Sequence, residues 1–246
     1  MNNKIKIICI FRLKIRIMAK KIIITCLLIC LLTGSIFAQL RVGPVGGLNF
    51  NRQVYKSNSY RYEGIFRTQI GFNVGVLTDL LLCKHFSLQS ELIYTLRGGY
   101  YKTDRYNVSE EYNADMGYIS LPVCLTGKID VKSAYIIFGA GPYLEKLMHA
   151  QHKFYSNGKN IENGKLRVGT NYTTDQLKPW NAGLKVKAGF ELKKGMYMVA
   201  FYDIGTSDIN PQFTVTRNKT FGLQIAYLFS TSEEDRYERF EKFYEF

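Results

Sequence analysis

Two segments of the chain alternate strictly between apolar and polar side chains. One runs from Leu184 to Leu192, and the other covers residues 221–229. Successive side chains of an extended strand point to opposite faces, so each segment predicts a strand with one apolar and one polar face. The apolar positions are Leu184, Val186, Ala188, Phe190, Phe221, Leu223 and Ile225. A soluble sandwich would turn this face toward its core, whereas a membrane barrel would turn it toward lipid and keep the polar face inside.

The N-terminal region has the pattern of a secretory signal peptide. Two lysines precede an apolar run over residues 22–32, and a small residue follows at Ala38. This order predicts cleavage after Ala38. The run is too short to serve comfortably as a membrane anchor. We therefore expect residues 1–17 to be an upstream extension, residues 18–38 to be the signal peptide, and the mature chain to be exported.

Removal of residues 1–38 changes the charge balance, since seven of the 33 basic residues and none of the 20 acidic residues lie there. The remaining basic residues are scattered, which argues against a nucleic-acid partner. Cys83 and Cys124 also remain; we expect free thiols, although an oxidising compartment would allow them to pair. No second apolar run is long enough for a membrane-spanning helix. An exported chain that enters a membrane must then form a closed barrel, which satisfies every backbone group.

About eight segments have the composition of strands. They cover residues 41–52, 67–80, 86–101, 115–128, 134–149, 184–192, 196–206 and 221–229. Alternation is weak in the fifth and seventh segments, which leaves open how their side chains face. The predicted fold is all-β, an eight-stranded antiparallel transmembrane β-barrel with up-and-down topology over residues 39–230. Pro122 falls within the fourth strand and predicts a bulge or distortion there, because proline cannot donate to the ladder.

The predicted connections alternate between short and long. The short ones are residues 81–85, 129–133 and 193–195, and the long, polar ones are residues 53–66, 102–114, 150–178 and 207–216. This sorting is typical of outer-membrane barrels, whose long loops lie outside the cell. Aromatic side chains at strand ends would form interfacial girdles. Candidates for the girdles are Tyr94, Tyr100, Tyr101, Tyr118, Tyr143, Trp180 and Tyr227.

Four short motifs add a resemblance to a known family. They are Gly43–Asn49, Tyr118–Val123, Gly139–Tyr143 and Tyr227–Phe229. In their order and spacing, the chain resembles the PorT-like outer-membrane β-barrel proteins, a "porin family" group of Gram-negative bacteria. The resemblance covers residues 39–230. It implies an eight-stranded barrel in the outer membrane and supplies no shared set of catalytic residues.

The polar face of the predicted strands carries several charged residues. They are Arg41, Glu91, Arg97, Lys128, Lys185, Lys187 and Glu191. The interior of an eight-stranded barrel is just wide enough to be filled by side chains. We therefore expect these groups to form an internal network of ion pairs and hydrogen bonds, with a narrow pore as the lesser alternative. A general diffusion pore would lack the necessary room.

The expected function is a structural or binding role in the outer membrane, carried by the long loops and chiefly by residues 150–178. We expect no catalytic residues, cofactor or metal. Two alternatives stay open: an outer-membrane enzyme that acts on lipid or peptide through His149 or His152, and a soluble periplasmic barrel that binds an apolar ligand inside. The expected partners are outer-membrane lipid and the outer-membrane assembly machinery. Residues 231–246 form a charged, aromatic tail, either a helix that contacts a periplasmic partner or a solvated extension.

Overall fold

A computed structural model describes residues 40–56, 66–83, 85–105, 108–171, 173–210 and 215–229. The expected signal peptide, the upstream extension and the C-terminal tail lie outside these ranges. No helix within them is long and apolar enough to cross a membrane.

The described residues form ten strands. They are β1 (Leu40–Lys56), β2 (Phe66–Arg67), β3 (Gln69–Cys83), β4 (Phe86–Arg105), β5 (Val108–Val131), β6 (Ala134–Ser156), β7 (Lys159–Lys165), β8 (Trp180–Leu192), β9 (Met196–Gly205) and β10 (Val215–Tyr227).

Eight of these strands close into a ring. The hydrogen-bonded order is β1, β3, β4, β5, β6, β8, β9 and β10, and every pairing is antiparallel. The ring closes because β10 pairs with β1, with Val45 opposite Ala226. Strands that follow each other in the chain are neighbours in space. The predicted eight-stranded, antiparallel, up-and-down barrel is confirmed.

One end of the barrel, here the turn end, carries three tight connections. β3 ends at Cys83 and β4 begins at Phe86; β5 ends at Val131 and β6 begins at Ala134; β8 ends at Leu192 and β9 begins at Met196. Two of the turn residues have left-handed backbone, Lys132 with φ 47° and Gly195 with φ 93°. Glycine adopts that conformation without strain, whereas Lys132 needs the turn to hold it. These connections agree with the predicted short ones.

The opposite end, here the mouth, differs from the prediction because strands extend into the segments predicted as long connections. Residues 102–105 and 108–114 are strand rather than loop, because β4 and β5 stay paired out to Arg105 and Val108. β6 likewise continues to Ser156 and returns as β7, so part of the segment 150–178 is strand. These extensions form a projecting sheet of β4, β5, β6 and β7. The hydrogen bonds between paired strands join backbone groups and require no apolar face. A sheet made of polar strands therefore shows no alternation of apolar and polar residues in the sequence, and this sheet was not predicted.

Pro122 interrupts the ladder without adding a residue. The pairs Ser90 with Val123 and Ile93 with Ser120 share one register, and the two positions between them are unpaired. The expected distortion is therefore present, but it is not a bulge. A register shift does occur elsewhere in β5, at Gly117, where β6 contributes an extra residue.

Among the described residues, the interior contains two apolar clusters separated by polar side chains. The cluster toward the turn end includes Leu77, Ile137 and Tyr197, and the cluster toward the mouth includes Met116 and Tyr118. Tyr118 and Tyr143 are buried, so their prediction as girdle residues is wrong. Tyr118 alternates with outward-facing Ile119, which places its ring inside the barrel.

Candidate functional site: the barrel interior and its mouth

The outer surface of the barrel is an apolar belt. Leu184, Val186 and Phe190 are 50%, 42% and 43% exposed, and Ala188 faces the same way. On β10, Phe221, Leu223 and Ile225 are also exposed. The structure thus places all seven predicted lipid-facing residues on the outside. Such a belt would be costly in water, which argues against the soluble periplasmic alternative.

The inner surface is polar and charged along most of its length. All seven charged residues assigned to the polar face are buried inside the barrel: Arg41, Glu91, Arg97, Lys128, Lys185, Lys187 and Glu191. Their counter-charges include three acidic residues absent from the predicted set, Asp79, Glu145 and Asp203. The buried charges described by the structure are five basic and five acidic residues. They are arranged in three clusters along the barrel axis.

The first cluster lies toward the turn end and joins four strands. Arg41 on β1 donates hydrogen bonds to Asp79 on β3 and to Glu191 on β8. Lys128 on β5 lies 3.0 Å from a carboxylate oxygen of each of the same two acids. The two cations and the two anions therefore form a closed cycle, in which each cation contacts both anions. Each charge has two opposite neighbours, which offsets much of the cost of removing it from water.

The second cluster lies at mid-barrel around Glu91. Lys185 and Lys187, on the same face of β8, donate to its two oxygens over 3.0 and 3.1 Å. Gln224 donates to Glu91 as well, over 3.3 Å. The Lys185 ammonium also lies 4.4 Å from the centre of the Phe201 ring, a favourable cation–π distance. A single carboxylate thus binds two lysines. Both belong to the alternating segment Leu184–Leu192, which first indicated a barrel.

The third cluster lies toward the mouth around Arg97. Its guanidinium lies 2.7 Å from Asp203 and 3.1 Å from Glu145, and it donates to the Thr220 hydroxyl over 2.9 Å. Asn181 donates in turn to Glu145. Guanidinium groups suit this position because they present several donors in a fixed plane.

Sequence reasoning missed the three acids because the alternation of apolar and polar residues is imperfect where they lie. Glu145 lies on β6 and Asp203 on β9, the two strands whose alternation is weak. Asp79 lies two positions after Leu77 on the same inward face of β3. Because Leu77 is apolar, that face does not read as a continuous polar face in the sequence. A charge count would have indicated them, since the seven predicted residues alone would leave an excess of positive charge in a buried space.

Large side chains occupy the space between the charged clusters. Tyr118, Tyr197, Lys128 and Lys185 are among the largest fully buried ones. Amides and hydroxyls link neighbouring strands; for example, Asn49 donates to Thr95 over 2.8 Å. This interior fits a barrel filled by side chains rather than a water-filled channel.

A pocket of about 250 Å³ opens at the mouth, where residues 166–171 and 173–178 lie against the barrel. Backbone hydrogen bonds attach both stretches: Leu166 N–H donates to the Ala150 carbonyl and Lys178 N–H to the Ile209 carbonyl. Leu166 and Leu177 pack against the apolar cluster of Met116, Tyr118, Leu147 and Ala150.

The lining of this mouth pocket combines an apolar floor with uncharged polar groups. Met116, Leu166, Leu177 and Ile209 line it together with Tyr112, Gln53, Gln176, Asn210 and Thr216. Thr216 is 3% exposed, and its hydroxyl has no hydrogen-bond partner within the part of the chain that the structure describes. None of the described lining residues carries a charge. The pocket therefore suits a neutral ligand that offers hydroxyl or amide groups.

The two histidines of the enzymatic alternative do not meet. His149 lies on the outer surface, where its ring stacks on Tyr94 with centroids 6.2 Å apart. His152 lies beyond an irregularity in β6, stacks on Tyr112 at 5.8 Å and faces Glu162 at 3.5 Å. Within the described ranges, no group of three or more potential metal ligands occurs. The structure therefore does not assemble these histidines into one site.

A closed ring of eight strands with an apolar exterior and a charged, filled interior defines an outer-membrane β-barrel protein. Residues 37–210 match the family model described as the outer membrane protein beta-barrel domain, and the chain belongs to this family. The outer membrane is accordingly its location. No curated protein matches the sequence.

Several solved structures resemble the chain at low identity. Ail of Yersinia pestis, in complex with the heparin analogue sucrose octasulfate, shares 15% identity over 78% of this chain and 99% of that chain, with a TM-score of 0.38. An outer-membrane channel of Pseudomonas putida F1 shares 7% identity over 78% and 96%, with a TM-score of 0.30. The translocator domain of NalP from Neisseria meningitidis shares 7% over 85% and 96%, also at 0.30.

Proposed function

We propose that the protein is a non-conducting outer-membrane barrel whose mouth binds an uncharged ligand rich in hydroxyl groups, such as the exposed end of a glycan. The mouth pocket carries this proposal. It faces the cell exterior if the long connections do, as is usual in outer-membrane barrels. Catalysis is not part of the proposed role.

The chemistry of the lining supports this class of ligand. A sugar hydroxyl is both donor and acceptor, and so are the amides of Gln53, Gln176 and Asn210. The Thr216 hydroxyl, unpaired among the described residues, would gain a partner from such a ligand. Tyr112 adds an aromatic face against which the apolar side of a sugar ring can pack. A charged ligand would find no counter-charge among these side chains.

The barrel interior supports the non-conducting part of the proposal. Ions would have to cross three layers of paired charges, and water would have to displace fully buried side chains. In planar bilayers the full chain is expected to give no steady conductance. Step currents that scale with KCl concentration would contradict a closed interior.

Finer assignments also remain proposals. The motif from Gly43 to Asn49 lies in β1 and the motif from Tyr118 to Val123 in β5, as the PorT-like resemblance implies. We place the chain in that group on these motifs. Export through the signal peptide, insertion by the assembly machinery, and a periplasmic partner for residues 231–246 complete the proposed role.

Saturation-transfer NMR on the full chain in nanodiscs tests the mouth pocket. The probes are glucose, galactose and N-acetylglucosamine, and transfer to at least one is expected. Ala114→Trp should abolish that transfer by filling the pocket, since Ala114 lines it. Asn113→Trp is the matched control, because the neighbouring side chain lies on the other face of β5. Absence of transfer to every probe, or transfer that survives Ala114→Trp, would rule out this ligand class.

A further inference from the structure

A second groove, of about 420 Å³, lies on the outer surface near the mouth. Phe50, Arg52 and Val54 on β1 line it together with Lys219 and Phe221 on β10. Thr68 and Tyr202 close its two sides. The groove is separate from the mouth pocket, since the two share no lining residue.

The strand register concentrates positive charge in this groove. Arg52 is paired directly with Lys219 across β1 and β10, and the next outward pair sets Val54 opposite Arg217. Directly opposite residues of an antiparallel pair have side chains about 5 Å apart at their Cβ atoms. Two cations at one such pair attract an anion more strongly than either would alone. None of the described lining residues is acidic.

The groove also marks the boundary of the apolar belt. On its turn side, Leu48, Leu223 and Ile225 are each more than half exposed. Phe50 and Phe221 form the next pair, with stacked rings 6.2 Å apart, and Arg52 and Lys219 follow immediately. Along β1 and β10 toward the mouth, the outward-facing residues are thus first aliphatic, then aromatic and then cationic. A lipid at this position would have its acyl chains beside the belt and its headgroup beside the cations.

We propose that this groove binds the phosphate-bearing headgroup of a lipid in the outer leaflet. Arg52 offers a planar guanidinium that can donate two hydrogen bonds to one phosphate, and Lys219 adds a compact positive charge. Phe50 and Phe221 contact the upper part of the acyl chains. The inference does not depend on the ligand of the mouth pocket, but it rests on the orientation in the proposed function, with the mouth outside the cell.

Lys146 provides a matched comparison on the far side of the barrel. It is also an exposed cation on the outer surface toward the mouth, and it lies 5.7 Å from the Trp180 ring. Its cross-strand partner on β8 is Trp180 itself, not a second cation. Neutralising Lys146 removes one interfacial charge without touching the groove.

Native mass spectrometry of the full chain in an uncharged detergent tests the proposal. The probe is bis-phosphorylated lipid A, and the comparison lipid is the same molecule without its phosphates. We expect the phosphorylated lipid to bind at least about tenfold more tightly, because only it offers charge-assisted hydrogen bonds. This comparison requires no variant, so it stands even if a substitution impairs folding.

Variants then locate the site. The double variant Arg52→Gln, Lys219→Gln should weaken binding of the phosphorylated lipid by about tenfold, whereas Lys146→Gln should leave it nearly unchanged. The charge-preserving exchange Arg52→Lys, Lys219→Arg should retain binding. Equal affinity for the two lipids, or equal losses in the double variant and in Lys146→Gln, would overturn the proposal. Displacement of the lipid by millimolar inorganic phosphate would also overturn it, since the groove would then select a free anion.

Discussion

The Arg97 guanidinium donates to the Asp203 carboxylate over 2.7 Å, although the two residues are 106 positions apart in the chain. Arg97 lies on β4 and Asp203 on β9, which stand four strands apart in either direction around the ring. The ion pair therefore crosses the full width of the barrel. It shows that the interior is too narrow at this level for an open channel.

Removal of Asp203 should destabilise the barrel strongly. Asp203→Asn leaves Arg97 with Glu145 as its remaining carboxylate partner, and we expect a loss of about 3 kcal/mol in the free energy of unfolding. Urea unfolding in lipid vesicles, followed by tryptophan fluorescence, measures it.

Asp130→Asn is the control for that measurement. Asp130 lies 3.5 Å from Lys193 at the exposed turn end, and such surface pairs contribute less than about 1 kcal/mol. Similar losses in the two variants would mean that burial adds nothing to the strength of the internal pairs.

The charged cluster around Lys128 should show strong coupling between its members. Lys128→Met leaves Asp79 and Glu191 with Arg41 alone among the cations of that cluster. Adding Asp79→Asn removes the excess negative charge, so the double variant should be more stable than the sum of the single effects by about 1–3 kcal/mol. A double-mutant cycle by urea unfolding gives this coupling energy. Strict additivity would show that the four groups do not act as one unit.

Outward-facing residues of β8, the strand that carries Lys185, should tolerate apolar substitutions but not charged ones. Val186→Arg would place a charge against lipid tails and should cost about 2–4 kcal/mol near mid-membrane. Val186→Leu is the control and should change stability little, because it keeps the surface apolar. Folding yield into vesicles and urea midpoints are the measurements. Tolerance of arginine at this position would contradict a lipid-facing Val186.

The orientation of the barrel can be read from cysteine labelling. A cysteine at Asn157, in the β6–β7 turn of the projecting sheet, should react with a membrane-impermeant maleimide on intact cells. A cysteine at Lys132, in the turn after β5, should react only after the outer membrane is opened. Both variants are made with Cys83 and Cys124 changed to serine and are compared with that parent chain. The reverse labelling pattern would place the mouth in the periplasm.

Much of the fold follows from local patterns. The alternation in β8 separates Val186, which lies outside, from Lys185 and Lys187, which lie inside. The lengths of the connections indicate the strand order, because short turns join antiparallel neighbours. The projecting sheet could not be predicted, since its strands are rich in polar residues and lack a repeating apolar position.

Less of the candidate site follows from those patterns. The mouth pocket brings Gln53 of β1 together with Met116 of β5 and Leu177 of a loop, and no local signal relates these positions. Arg52 and Lys219 likewise become neighbours only through the pairing of β10 with β1. Contacts of this kind depend on the register of strands that are distant in sequence.

The amino-acid sequence by itself determined which side chains share a face of each regular strand, because the extended backbone alternates with a period of two. Taken with the expected signal peptide and the alternation of short and long connections, this pattern predicted an apolar exterior and charges inside. Only the tertiary structure decided which charges meet, and it added Asp79, Glu145 and Asp203 to the network. The physical reason is that closure of the ring fixes the register between strands. The register sets the position of each buried charge along the barrel axis, and so determines which opposite charge it contacts.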